Sequence, residues 1–485
     1  NMPLILPGNV GSATAATGYD VANSCRFNGA DSAELTLTPT AGNQKTWTFS
    51  FWTKRSTDQI AVADHVDSIL EAGHATNPWF VFTFNQDVLQ VAQTAGASAG
   101  WSTAAKFRDT SAWYHIVLAV DTTQSTSSIT NGSTDRMRIF VNGVQQTLSG
   151  GTVPSQNADL QWSSNVGHHL FGASYGGQFY DGYVAEVFFI DGSALAPTAF
   201  GEFDSNSPTI WKPKDCKDDL TFGSEGYYLD FADSGDLGDD ESGNGNDWTE
   251  VNLAATDQSI DTCTNNFTTL NPLAQTPQKG TTKEGNLEYD RAGGSDNWVT
   301  IGSTIAATAG KWYYEYKIID GGSSAGNGSL VGFLDYNTSV FQSTDNSALT
   351  NAGEYAWYGA SGNLYINGTD VAQVDSYTDG DIVMVAMDLE NSKAYWGKNG
   401  TWISSGDPTS GATGTGARDI ANVSSGCYAF AVAHREGGNG QANFGSPPYA
   451  NSSSVADGNG YGAFEYAPPS GYLSLCTKNL GSDGG

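Results

Sequence analysis

Two series of short apolar runs dominate the pattern of the chain, and each closes on an Asn-Gly pair. The first passes through Trp47–Trp52 and Trp113–Asp121 to Met137-Arg-Ile-Phe-Val-Asn-Gly143. The second passes through Lys311–Ile319 and Asp381–Asp388 to Ala394-Tyr-Trp-Gly-Lys-Asn-Gly400. Asn-Gly between apolar runs predicts a type I′ hairpin, because both residues tolerate a positive φ. Ser24–Gly29 followed by Ala33-Glu-Leu-Thr-Leu37 alternates polar and apolar positions, as a half-buried antiparallel strand does. No stretch sustains an apolar stripe at helical spacing, so helix is expected to be scarce. The pattern predicts an all-β chain of tandem antiparallel β-sandwiches, with surfaces suited to contact.

Where strand pattern gives way to turns, boundaries follow. Residues 1–20 are small and turn-rich and read as an extended N-terminal arm, either disordered or laid along a neighbouring subunit. Residues 21–203 form the first sandwich, closing with Phe179–Ile190. Residues 204–295 carry Pro208, Pro213, Pro272, Pro277 and the densest acidic run, and read as a turn-rich connector. A strand candidate within it, Gly226–Phe231, predicts that the connector packs on a sandwich. Residues 296–445 form the second sandwich, and 446–485 a C-terminal strand and tail, the strand following a proline stop at Pro468.

Composition narrows the partners. The formal charge is −31, with only 21 lysines and arginines. Such a surface repels phosphate backbones and anionic lipid, which leaves cations, basic protein surfaces and uncharged ligands such as sugars. The five cysteines, Cys25, Cys216, Cys263, Cys427 and Cys476, are odd in number and lack CxxC spacing, which argues against a disulfide scaffold or a zinc site. No apolar run reaches the length of a bilayer span. The start, Met2–Gly8, has no basic residue before Arg26 and makes a poor secretory leader, so if the protein acts outside a cell a route other than classical secretion is expected, lysis of a host cell being one.

Several motifs together resemble known families. Cys25–Gly29, Trp47–Lys54, Trp113–Val117, Arg138–Gly143 and Gly182–Val187 follow the order of a laminin-G/concanavalin-A-like jelly roll. Gly310–Tyr316, Val331-Gly-Phe333, Gly380–Asp388, Lys398–Gly400 and Ala442–Gly445 resemble a SPRY domain. Met2–Gly8, Asp261–Leu273 and Pro468–Leu480 resemble virion proteins of tailed bacteriophages, marine ones especially. The resemblance implies a virion-surface protein, a capsid decoration, capsid fibre or tail fibre, attached through its arm to other virion proteins or sister subunits as a homo-oligomer. Fold alone does not fix function, since such sandwiches serve lectins, hydrolases and adaptors.

Catalysis finds little support in the residues. Concanavalin-A-like glucanases carry paired carboxylates on one strand, and glycoside hydrolysis needs such a pair at a set separation. The nearest approach, Glu202-Phe-Asp204, lacks the third carboxylate and reads as a solvated turn. His168 and His169 are adjacent and point to opposite faces of a strand; one is expected at the surface and one packed. His115 reads as a satisfied interior or edge residue. A calcium site is conceivable in the acidic run 230–247, with Asp230, Asp233, Asp240 and Asp247 as ligands on a glycine-rich loop. Calcium there shifts the melting midpoint between excess metal and chelator, and an unmoved midpoint counts against it. Sugar recognition needs exposed aromatic faces on loops, and the candidates are Trp101, Tyr175, Phe179, Tyr180, Trp357, Tyr358, Tyr377 and Trp402. The expected function is non-enzymatic adhesion to glycans or host-surface proteins, against two alternatives: a glycan depolymerase, and a peptide-binding SPRY adaptor.

Overall fold

A computed structural model describes residues 18–56, 65–73, 79–93, 100–125, 135–151, 153–173, 177–276, 280–291, 297–322, 328–337, 341, 348–373, 375–421 and 426–483. The arm read over residues 1–20 lies almost wholly outside them. The chain divides after Thr264 into two compact units, each all-β. Among the described residues one α-helix occurs, Thr477–Asp483.

The first unit packs two sheets face to face. Across one sheet the order is Val144–Gln145, Met137–Val141, Tyr114–Asp121, Thr46–Arg55, Gly182–Asp191, Ser24–Phe27 and Gln258–Ser259. Across the other it is Leu148–Ser149, Trp101–Thr103, Val88–Gln93, Phe80–Asn85, Val66–Ala72, His168–Leu170, Glu34–Leu37 and Thr249–Val251. Period-2 alternation sends Trp47, Phe49 and Phe51 inward against Phe80, Phe82 and Phe84, where all are fully buried. The opposite face of the same sheet is covered as well. Val117, Ala119, Phe188 and Ile190 pack there against Phe200, Cys216, Phe222 and Tyr228. A central strand buried on both faces reads as the continuous apolar run seen in the sequence.

The stretch 204–295 is therefore shared between the units. Tyr227–Leu229 pairs with Gly182–Asp191, and Thr249–Val251 and Gln258–Ser259 join the two sheets of the first unit. From Asn265 onward the chain belongs to the second unit, where Leu270–Gln275 is an edge strand. Acid and proline there mark tight turns between very short strands.

The second unit repeats the two-sheet plan. One sheet runs Leu270–Gln275, Val299–Ser303, Tyr428–His434, Ser329–Asp335, Glu354–Tyr358, Leu364–Ile366 and Thr369–Val371. The other runs Thr281–Lys283, Glu288–Asp290, Asn439–Asn443, Lys311–Asp320, Ile382–Asp388, Lys393–Lys398 and Thr401–Trp402. Leu473–Ser474 pairs with Lys311–Asp320 in parallel. Phe464 and Tyr472, from the segment read as a tail, are buried against Tyr313, Met384 and Tyr395 on the outer side of that sheet. Both predicted hairpins form: Asn142 and Gly143 have φ of 48° and 77°, and Asn399 and Gly400 48° and 82°.

One buried carboxyl gives the first unit a pH dependence. Glu186 sits at φ 52° where the register of its strand slips between Ala185 and Phe188. Its carboxyl accepts hydrogen bonds from Tyr228 Oη at 2.9 Å and Tyr19 Oη at 3.1 Å. Burial, reinforced by Asp230 and Asp215, lifts its pKa from 4.5 to about 7. A raised folded value favours the protonated form in the native state. Its stabilising share is complete below the unfolded carboxyl value and is lost as pH rises through about 7. Glu186→Gln is expected to flatten the fall in melting temperature of the first unit between about pH 5 and about pH 8. A variant that keeps the full wild-type slope assigns the fall to another group.

Candidate functional site

The structure separates the aromatic candidates by burial. Trp101, Tyr180, Trp357 and Tyr377 are core residues, between 0% and 4% exposed, and present no ring face to solvent. Their polar atoms are used internally where partners are seen: Tyr180 Oη meets Thr53 Oγ1, and Tyr377 Oη donates to the Ser329 and Trp357 carbonyls at 2.7 and 2.8 Å. Nearness to glycine-rich turns misled the sequence reading, because these rings point back into the sandwich. Tyr175 lies outside the described residues. Phe179 is half-buried beside Tyr180. Trp402 is half-buried with its ring turned toward Tyr313 and Tyr395, centroids 6.4 and 6.5 Å away.

Tyr358 stands apart. It ends the strand Glu354–Tyr358, and alternation places it on the outer face while Trp357 points inward. That face carries a floor of Leu330, Leu334, Ala356, Ala431 and Ala433, whose mostly small side chains leave room for rings at the rim. Trp298 meets Tyr358 edge to face at 5.7 Å between centroids, and Tyr365 stands 6.4 Å from it. The Arg435 guanidinium lies 5.1 Å over the Trp298 ring and donates to Tyr358 Oη at 2.9 Å. Its side chain keeps 27% of its surface exposed. Three of these four residues, Trp298, Tyr365 and Arg435, were missed by the sequence reading. The cluster offers fixed ring faces for stacking and a planar donor for hydroxyl or carboxylate oxygens.

On the other sheet of the same unit a groove of about 500 Å³ runs along Gly310, Lys311, Trp312, Glu390, Asn459, Gly471 and Leu473. Lys311 Nζ is held by Asp388 at 3.1 Å and Glu390 at 3.8 Å. The groove walls are polar and glycine-rich, and Trp312 is itself fully buried.

The carboxylates that the sequence offered for chemistry make turn and ion-pair contacts. Glu202 and Asp204 share Lys212, at 3.3 and 3.5 Å, and Asp204 also accepts the Asn206 and Ser207 amides. Asp204 is thus a buried turn cap, not a solvated residue. In the acidic loop, Asp230 accepts the Ala232 amide and Asp233 the Gly235 amide. Asp240 accepts amides of Tyr228, Ser242 and Asn246, and Asp247 accepts that of Asp240. Among the described residues no group of three or more His, Cys, Asp or Glu is disposed to hold a metal. The four expected ligands are turn acceptors spread along the loop. His168 is packed edge-on against Trp162, while half-buried His169 pairs with Glu34 at 2.9 Å. His115 is buried between Ser50 and the Trp211 indole N–H. No helix of the described residues is long and apolar enough to cross a membrane.

Comparisons agree with this architecture for the first unit. Residues 27–198 match the model of the concanavalin A-like lectin/glucanases superfamily, about a third of the chain. No curated protein matches the sequence. Solved structures similar to the chain include the SPRY domain of human HERC1, at 18% identity over 32% of this chain and 87% of that one, TM-score 0.26. A human SPRY domain matches at 16% identity over 34% and 92%, TM-score 0.24. A native heptameric SAP-like pentraxin from Limulus polyphemus matches at 14% identity over 37% and 80%, TM-score 0.27.

Proposed function

We propose that the chain is a non-enzymatic adhesion protein that binds glycans through the surface of its sandwiches, on the exterior of a tailed-phage particle. The observation that carries glycan binding is the Tyr358–Trp298–Arg435 cluster, in which a half-buried guanidinium and two half-buried rings hold one another in place. Preorganised rings lose little freedom on binding, which favours an uncharged, ring-shaped ligand. An excess of 31 negative charges disfavours anionic partners elsewhere on the surface. The match of residues 27–198 to a lectin and glucanase superfamily supports the same reading. Placement on a virion, as a capsid decoration or fibre or a tail fibre, rests on the resemblance of Met2–Gly8, Asp261–Leu273 and Pro468–Leu480 to phage virion proteins. In this reading the N-terminal residues attach the protein to other virion proteins, and the assembly is a homo-oligomer.

Arg435→Ala and Tyr358→Ala are each expected to weaken retention on a host-surface polysaccharide column at least tenfold, with the melting temperature little changed. Full retention by both variants removes the cluster from the binding surface. Antibody labelling of source particles tests the location, and a label absent from the particle exterior contradicts it.

A further inference from the structure

Among the described residues Lys54 is the one buried lysine. The other lysines that meet a carboxylate keep at least 18% of the side chain exposed. Alternation along Thr46–Arg55 sends Phe49 and Phe51 into the core, so position 54 falls on the outer face, where a lysine ordinarily reaches water. Here the returning chain covers it. Lys54 Nζ lies 2.6 Å from Asp261 Oδ2, and both side chains are 1% exposed. Aromatic groups enclose the pair: Nζ stands 5.2 Å from the centre of the Tyr183 ring, and the Trp113 indole N–H donates to Asp261 Oδ1 at 3.2 Å. Asp261 is itself fixed, its amide on Ser259 Oγ at 3.1 Å and its carbonyl accepting from Ser24 Oγ at 2.6 Å.

Two opposite charges enclosed in this way pay for the loss of both hydration shells, and the neutral pair of amine and carboxylic acid competes with them. Burial holds the Lys54 amine below its ordinary value, against the opposing pull of Asp261 and of the nearby Asp109. An uncharged amine is a nucleophile, and Oδ2 is bonded to the carbon it would attack. Fixed proximity of this kind replaces an encounter in solution by a step within one molecule.

We propose that Lys54 and Asp261 condense after folding into an isopeptide bond that staples the core strand Thr46–Arg55 to the end of the first unit. One proton passes from Nζ to Oδ2, leaving an amine and a carboxylic acid. Nζ then attacks Cγ, and the charge that develops on Oδ1 is met by the Trp113 N–H. A second proton leaves Nζ with the Oδ2 hydroxyl, the Cγ–Oδ2 bond breaks, and water departs. Atoms and charge balance with no oxidant, cofactor or second substrate. Asp261 lies just before Thr264, where the unit ends, so the bond would hold the two-residue strand Gln258–Ser259 against peeling from that end.

Intact-mass measurement of the full chain in denaturant, followed by proteolysis, tests the bond. The main species is expected one water lighter than the sequence requires, and the digest is expected to contain one branched peptide joining Lys54 to Asp261. Lys54→Arg keeps a buried cation but lacks the nucleophilic amine, and is expected at its full sequence mass with no branched peptide. The parent chain is read without any substitution, so the test stands even where a variant folds poorly. A parent chain at full sequence mass overturns the proposal. So does a lost water without the branched peptide, or a Lys54→Arg chain that is still one water light. Retention on polysaccharide enters none of these readings, so the staple and the glycan-binding cluster stand or fall separately.

Discussion

Trp357→Ala is expected to destabilise the second unit by about 3–5 kcal/mol, the usual cost of truncating a buried tryptophan. The ring is 0% exposed and stands edge-on to Tyr377 at 5.0 Å between centroids. Its Nε1–H donates to the Gly362 and Asp375 carbonyls at 3.1 and 3.2 Å, tying down the turn after the strand Glu354–Tyr358. Truncation removes the single donor that both carbonyls share and opens a cavity in the core, and the two costs add. Urea unfolding of the full chain, followed by a probe in the second unit, measures the loss. A change below about 1 kcal/mol, or lost glycan retention at unchanged stability, contradicts the core assignment of this ring.

Asp67→Ala is expected to cost the first unit about 3–5 kcal/mol by leaving a buried charge only partly compensated. Arg55 and Asp67 are 1% and 0% exposed and joined at 2.5 Å, linking the strand Thr46–Arg55 of one sheet to Val66–Ala72 of the other. The guanidinium also meets Asp87 at 3.2 Å, donates to the Phe107 carbonyl at 2.7 Å and lies 4.5 Å over the Phe84 ring. Removing the Asp67 carboxylate leaves that charge desolvated with half its compensation. Replacing both partners, Arg55→Met with Asp67→Leu, removes the charge together with its need, and Asp87 retains Arg108 at 2.6 Å. The double variant is therefore expected to recover most of the loss. Chemical unfolding of the single and double variants decides the matter; equal losses contradict the charge argument.

The long strands were legible because alternation and turn chemistry are local. Thr46–Arg55, Met137–Val141 and Ile382–Asp388 sit where apolar runs predicted them, and both Asn-Gly turns adopt the required positive φ. Strands of two or three residues, such as Gln258–Ser259 and Tyr227–Leu229, are too short to show a period and exist only through ladders to distant partners. That is why the stretch 204–295 read as a connector. The surface cluster was illegible for a related reason. Val299 pairs with His434 in an antiparallel ladder, so Trp298 and Arg435, both one position beyond that pair, become neighbours across more than a hundred residues of sequence. Trp357 and Tyr358 are adjacent in the chain and differ only in which face they occupy. The sequence shows the alternation, but the partner sheet decides which face is the core. The carboxylates of the acidic loop allow two readings in sequence, since short side chains near glycine close turns as readily as they bind cations.

The central claim is that exposed sheet surface grips a glycan without cleaving it. The direct measurement incubates the purified chain and its Arg435→Ala variant with host-surface polysaccharide, recording retention and new reducing ends in the same samples. The account predicts retention by the parent chain, at least tenfold weaker retention by the variant, and no rise in reducing ends over buffer. New reducing ends that depend on the protein, or retention indifferent to Arg435, would contradict it.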